Sequence, residues 1–481
     1  MVATTPVPIA PLPLQRFESV LGPEAYRCVR EEAERVRDVC AGRILWNINS
    51  TARGGGVAEM LQSLLAYGRG CGVDVRWEVM VGDESFFAVT KRLHNHLHGS
   101  PGDGLPLDHA AREIYEAMTR RTAEGLADRI SPGDIVLLHD PQTAGMIPVL
   151  RELGGFLIWR CHVGIDTPNR ITQQAWRFLR GYVAQADAYV FSRRQYVWES
   201  LDPDRTVLIA PSIDVFSAKN EALTEVQTHA ILAAAGLQED DLDAGAAVFT
   251  RIDGSPARVE RRAEVEEDRR LRPDHQLVVQ VSRWDRLKDP AGVIDGFVQH
   301  VVPHCDAHLL YAGPAVSAVA DDPEGRAVLA EARTRRAALT AAARERVHLV
   351  ALPMADLEEN AAIVNALQRR ADVVVQKSLA EGFGLTVAEA MWKRRAVVAS
   401  RIGGIQDQID DGRSGLLVGP GDLRAYGQAV VALLGDPARA TEMGRRAARR
   451  VAERFLGTRS LTQYFRLFGR LLDGRPAAEP S

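Results

Sequence analysis

Long apolar runs are missing from this 481-residue chain, aromatic residues supply only 6% of it, and cysteine occurs five times. Without a run of about 18 apolar residues no helix of this sequence is expected to span a bilayer. Cys28, Cys40, Cys71, Cys161 and Cys305 are scattered, odd in number and never spaced as Cys-x-x-Cys. That pattern excludes a disulfide framework and a cysteine-based zinc site, and it predicts reduced thiols. Basic residues do not dominate either: 59 Lys and Arg against 63 Asp and Glu leave a net charge of −4, which predicts no nucleic-acid or anionic-membrane partner. Met1 to Pro13 lacks a basic segment ahead of its proline-interrupted apolar residues, so no secretory signal is predicted and a cytoplasmic location is expected. His94, His96 and His98 alternate, yet no carboxylate or cysteine stands close by in sequence. A polar surface or a His-lined pocket is the expected outcome there, with no metal.

What is present is a pair of strand-and-helix halves. Hydrophobic residues make up 46% of the chain, enough for two or three domains. In the first half, after a helical lead-in over 14–41, strands are predicted at 43–49, 75–80, 135–139, 157–161, 187–191 and 206–210. Helical patterns separate most of them, as in a parallel sheet covered on both faces. The first strand runs into Gly54-Gly55-Gly56 and then a helical pattern, placing a glycine loop at a strand's carboxyl end. Neither Gly-x-Gly-x-x-Gly nor a P-loop lysine is present, which disfavours a dinucleotide or ATP site. Later strand ends carry His139-Asp140, His162 with Asp166, Ser192-Arg193 and Pro211-Ser212. Each alone reads as a cap or turn. Four such ends along one edge predict a polar pocket.

Residues 211–275 form the joint, with a helix predicted over 221–236. Arg258 to Arg272 holds six arginines among five acidic residues, with Arg262/Glu266 and Glu266/Arg270 at helical spacing, and reads as a solvated helix. The second half repeats the architecture, with strands at 277–281, 307–312, 346–350, 372–376, 396–400 and 415–418. Its first strand is followed by Ser282-Arg283 and Lys288-Asp289, and two cations five apart in a strand-end loop suit a diphosphate. After the fourth comes Glu381-Gly382-Phe383-Gly384-Leu385, then Thr386 to Glu389. A glycine loop feeding a helix start exposes backbone N–H groups to an anion. Thr386-x-x-Glu389 also has the form of a capping box.

The order of Arg283, Lys288, Glu381 and Glu389 resembles the donor motif of the retaining glycosyltransferases of family 4. The resemblance implies an α/β chain of GT-B fold, two Rossmann-like doubly wound domains facing a central cleft. Residues 1–214 would bind the acceptor and 215–455 the nucleotide-sugar donor, with a terminal helix in 456–481 packing back on the first. Asn49 to Leu61, Phe87 to Asn95 and Trp159-Arg160-Cys161-His162 are similar, more narrowly, to the trehalose glycosyltransferring synthases. That likeness implies a reversible, configuration-retaining transfer of glucose from ADP-, UDP- or GDP-glucose to free glucose, giving α,α-trehalose. Implied donor contacts are Gly55, Gly56, Arg283, Lys288, Glu381, Gly382, Phe383, Gly384, Leu385 and Glu389. Implied acceptor contacts are Gly54, Gly55, His139, Asp140, Gln142 and His162. Arg283, Lys288, Glu381 and His162 would carry the catalysis. No tightly bound cofactor is implied, a Mg²⁺ requirement is left open, and a homodimer is compatible with the reading. Trehalose phosphorylase shares most of these motifs. A lipid-directed family 4 enzyme would need a basic amphipathic face that is absent here, and a non-catalytic sugar-nucleotide sensor would not need the full cation and carboxylate set.

Overall fold

The computed structural model describes residues 3–52, 56–239, 244–316 and 323–478. It divides into unit 1, Met1–Ser212 with Gly457–Ser481, and unit 2, Ile213–Leu456. Unit 1 is built on a seven-stranded sheet: β1 (Thr4–Val7), β2 (Ile44–Asn49), β3 (Asp74–Met80), β4 (Ile135–His139), β5 (Phe156–Cys161), β6 (Ala188–Phe191) and β7 (Thr206–Leu208). The spatial order is β1-β3-β2-β4-β5-β6-β7, with only β1 antiparallel to its neighbour. The near-continuous apolar runs of β4 and β5 follow from burial on both faces.

Unit 2 begins with a small hairpin, β8 (Val248–Thr250) and β9 (Pro256–Arg258), before its own seven-stranded sheet. That sheet contains β10 (Glu264–Glu266), β11 (Leu277–Val281), β12 (His308–Pro314), β13 (Val347–Leu352), β14 (Val373–Gln376), β15 (Ala396–Ser400) and β16 (Leu416–Val418). Its order is β10-β13-β12-β11-β14-β15-β16, again with a single antiparallel edge strand, β10. Counting parallel strands only, unit 2 has the 3-2-1-4-5-6 order of a dinucleotide-type sheet, whereas unit 1 runs 2-1-3-4-5-6. The order reverses between β2 and β4 in unit 1 and between β11 and β14 in unit 2. Ligands of doubly wound sheets sit beyond the strands' carboxyl ends at these reversals.

Two expectations need correction. Residues 258–272 are not a helix: Glu264–Glu266 is an edge strand on β13, and Glu266 pairs with Arg333 rather than with Arg262 or Arg270. Asp268 is held by Arg336 and Arg344, so the local charge alternation serves tertiary partners. The lead-in helix is broken at Gly22, whose φ of 78° is left-handed, into Glu18–Leu21 and Pro23–Val39. His94 and His96 lie on the helix Glu84–Leu97. No metal-binding cluster occurs among the described residues, and none of their helices is long and apolar enough to cross a membrane.

The helix Gly457–Leu472 completes unit 1. It packs on Pro23–Val39 and buries Leu461, Tyr464, Phe465, Leu467, Phe468 and Leu471. Ser460 Oγ donates to the Ala210 carbonyl at 3.1 Å, and Arg466 reaches Glu32 at 3.7 Å.

Candidate active site

At the reversal in unit 2, the loop after β11 meets the loop after β14. Gln280, fully buried near the end of β11, joins them: its Nε2 donates to the Lys288 carbonyl at 2.9 Å, and its Oε1 accepts from the Lys377 N–H at 3.1 Å. Leu379 N–H donates to the Leu287 carbonyl at 2.7 Å. The Gln280 side chain and one backbone bond therefore fix both loops before Lys288 and Glu381 meet. Lys288 Nζ then lies 2.5 Å from Glu381 Oε2, with side chains 15% and 13% exposed, although 93 residues separate the two in sequence. Arg283 stands on the same loop with a side chain 58% exposed, at 3.0 Å from Asp285. Behind them, buried Lys377 binds Asp289 and donates to the Pro420 carbonyl at 2.9 Å. Asp289 itself has a left-handed φ of 51° and caps the helix Pro290–His300 through Gly292 N–H at 3.0 Å.

The glycine loop is clamped from one side. Gly404 N–H donates to the Gly382 carbonyl at 3.0 Å, and a Cβ on Gly404 would stand 2.7 Å from Phe383 Cα. Gln408 Nε2 donates to the Phe383 carbonyl at 2.5 Å and to that of Gly384 at 3.2 Å. Gly384, with φ of 82°, is the N-cap of the helix Leu385–Trp392, and no side chain caps that end. The expected capping box is thus absent. Because the helix begins at Leu385, Thr386 is already inside it, and its hydroxyl donates instead to Gln376 Oε1 at 2.9 Å. Glu389 is buried, with Lys219 Nζ 3.6 Å from its Oε1. The helix thus starts without a side-chain cap, and a helix N-terminus of this kind is suited to an anion.

In unit 1, Gly54 and Gly55 lie outside the described residues, and Gly56 opens the helix Gly56–Gly70. The structure brings His139, Asp140, Gln142 and His162 together at the carboxyl ends of β4 and β5. His139 Nε2 is 3.2 Å from Asn47 Oδ1, and His139 Nδ1 is 3.3 Å from His162 Nε2, with the rings stacked. Burial, reinforced by the Arg160 guanidinium, lowers the His139 pKa to about 3 and that of His162 well below the usual value. Both rings are neutral, which orders their protons. His139 donates to Asn47, so its Nδ1 must accept from His162 Nε2–H, and His162 Nδ1 remains an acceptor. Asp140 takes a left-handed φ of 63°, and its Oδ1 accepts from His162 N–H at 2.8 Å. Burial raises its pKa to about 6, against the lowering effects of that bond and of Arg160.

Asn47 was not singled out in the sequence and Arg160 stood there only within the Trp159–His162 stretch, although polar residues inside apolar strand runs are the signal that marks both. Arg160 is buried, bonds Ser192 Oγ at 3.3 Å, and leaves Nε and Nη1 without partners among the described residues. Asn47 Nδ2 and Gln142 Oε1 are likewise unpartnered. Buried polar atoms without partners are uncommon and mark places where a hydroxylated ligand or water completes the network.

Comparison with known proteins places this geometry in context. Residues 47–198 match the family model "Trehalose synthase, N-terminal domain", and residues 276–436 match "Glycosyl transferases group 1". Trehalose synthase of Rubrobacter xylanophilus is 38% identical, over 95% of this chain and 97% of its own. Trehalose phosphorylase of Pleurotus pulmonarius is 25% identical over 88% of this chain, which spans 56% of that longer protein. Among solved structures, an α,α-trehalose-phosphate synthase (UDP-forming) from Burkholderia xenovorans in complex with glucose-6-phosphate superposes with a TM-score of 0.65. It is 16% identical, and the match covers 90% of this chain and 100% of that one.

Proposed function

Because the chain belongs to the trehalose synthase family and is a GT-B glycosyltransferase, we propose that it joins glucose from a nucleoside-diphosphate glucose to free glucose, giving α,α-trehalose with retained configuration. The observation that carries this reading is the assembly of Arg283, Lys288 and Glu381 at the sheet reversal of unit 2. Two cations and the N–H groups opening Leu385–Trp392 suit a diphosphate, and Glu381 suits sugar hydroxyls. In unit 1, His139, Asp140, Gln142 and His162 offer acceptors and amides of the kind a small polyol engages.

In the proposed reaction the bond between the anomeric carbon and the diphosphate oxygen breaks, and a bond from that carbon to the acceptor oxygen forms on the same face. The acceptor hydroxyl's proton passes to the departing phosphate. Arg283 and Lys288 offset the charge growing on the diphosphate, so catalysis rests on positioning and electrostatics. His162 Nδ1 accepts from a sugar hydroxyl and orients the transferred ring. Gly54, Gly55 and Gly56 are assigned to the ligands on resemblance.

The test is to incubate the protein with labelled glucose and ADP-, UDP- or GDP-glucose, with and without Mg²⁺, and to examine products by proton NMR. A non-reducing disaccharide with both linkages α, formed only with a nucleotide sugar, is expected. Product from glucose 1-phosphate instead would move the assignment to a phosphorylase. Donor hydrolysis without disaccharide would remove glucose as acceptor.

Glu389 is proposed to hold the ribose. Gln keeps the shape but is a weaker acceptor, so Glu389→Gln is expected to raise the donor KM about tenfold while kcat stays within a few-fold. An unchanged KM would confine Glu389 to its contact with Lys219.

A further inference from the structure

Away from the strand ends, unit 1 holds a pocket of about 580 Å³ between the loop 99–108 and the helix Arg170–Val183. That volume suits a small metabolite. Its wall carries Arg112, Arg177 and His96 but no carboxylate. Arg177 is exposed and has no ion-pair partner among the described residues; its Nε donates only to the Gln173 carbonyl, at 3.3 Å. Arg112 lies over the Phe178 ring at 4.3 Å, donates to Tyr182 Oη at 2.6 Å and stands 4.0 Å from Glu116. His96 is 4% exposed, and its Nδ1 has no hydrogen-bond partner among the described residues. Leu105, 56% exposed, and Phe178 supply an apolar surface.

The rim is built rather than loose. Buried Arg92 holds Asp103 through two bonds at 2.8 and 2.9 Å and the Pro106 carbonyl at 2.8 Å. Asn169 Nδ2 donates to the Gly99 carbonyl at 2.9 Å, tying the rim to the segment that runs on from His162.

We propose that this pocket is a second ligand site, taking a small phosphate monoester that carries hydroxyl groups on a ring. Arg177 and Arg112 bind the phosphate, as forked guanidinium groups do well. His96 Nδ1 accepts from a ring hydroxyl, which satisfies an otherwise orphaned buried atom. Leu105 and Phe178 cover the ring face.

Titration calorimetry on the full chain with glucose 6-phosphate tests this, with inorganic phosphate and glucose run separately. Saturable binding of glucose 6-phosphate, tighter than that of either part, is expected. Arg177→Glu is expected to weaken it at least about tenfold with an unchanged melting temperature. Leu105→Trp, which fills the pocket mouth from an exposed position, is expected to do the same, while Lys288→Ala leaves binding intact. Binding that survives both pocket variants, or that disappears with Lys288→Ala, would place the anion elsewhere and overturn the proposal. So would absence of saturation up to about 10 mM.

Discussion

Alanine at Arg283 or Lys288 is expected to lower kcat for glucosyl transfer by about 10²–10³-fold, the usual consequence of removing one preorganised group from a developing charge. The two variants should part company in stability. Arg283 is 58% exposed, and its ion pair with Asp285 spans only two residues, so its loss should leave the melting temperature unchanged. Lys288 shares a nearly buried contact with Glu381, and removing it takes a cation away from a carboxylate only 13% exposed, at a cost of a few degrees. Lys288→Ala with Glu381→Gln should recover that loss without recovering turnover. Thermal scans and initial rates on the three variants decide the matter, and normal turnover in Arg283→Ala and Lys288→Ala would remove the diphosphate assignment.

Asp140→Asn is expected to make the protein more stable and less active. Asparagine tolerates the left-handed backbone at this position and can still accept the His162 N–H bond, while the half-buried charge disappears. The folded pKa of Asp140 is raised to about 6, above its ordinary 3.8. A carboxyl shifted upward favours folding while protonated, so its contribution is complete below the unfolded value and is lost as pH rises through about 6. The gain from Asp140→Asn should therefore appear above about pH 6 and vanish near pH 4, reaching about 1–3 kcal/mol at pH 7.5 once partial exposure is discounted. Acceptor KM should rise about tenfold, since a charged acceptor of sugar hydroxyls has gone. Melting temperatures of both proteins across pH 4–8 provide the check, and a lower value for the variant at pH 7.5 would refute the burial argument.

Most of the parallel strands could be read from the chain because burial on both faces forces continuous apolar runs. The antiparallel edges could not. Thr4–Val7 contains a proline, and Glu264–Glu266 is mostly charged, as suits an edge that must not recruit a second chain. Its neighbouring charges looked like helix pairs because spacing along a sequence does not reveal partners such as Arg333 or Arg336, which only the tertiary structure supplies. At the candidate site, the residues outside the strands announced themselves by following apolar runs. Gln408 and Arg160, which hold a loop or charge the interior, carried no such signal, and the apparent capping box misplaced the helix start by overlooking left-handed Gly384.

The return of Gly457–Leu472 to unit 1 also orders events during synthesis. Unit 2 is one uninterrupted segment and can close as soon as Leu456 has left the ribosome. Unit 1, though begun first, keeps an open groove over Pro23–Val39 until Gly457–Leu472 has been made. A nascent chain stopped at Leu456 would thus hold a finished second half and an unfinished first, with the landing surface for Tyr464, Phe465 and Phe468 bare to chaperones.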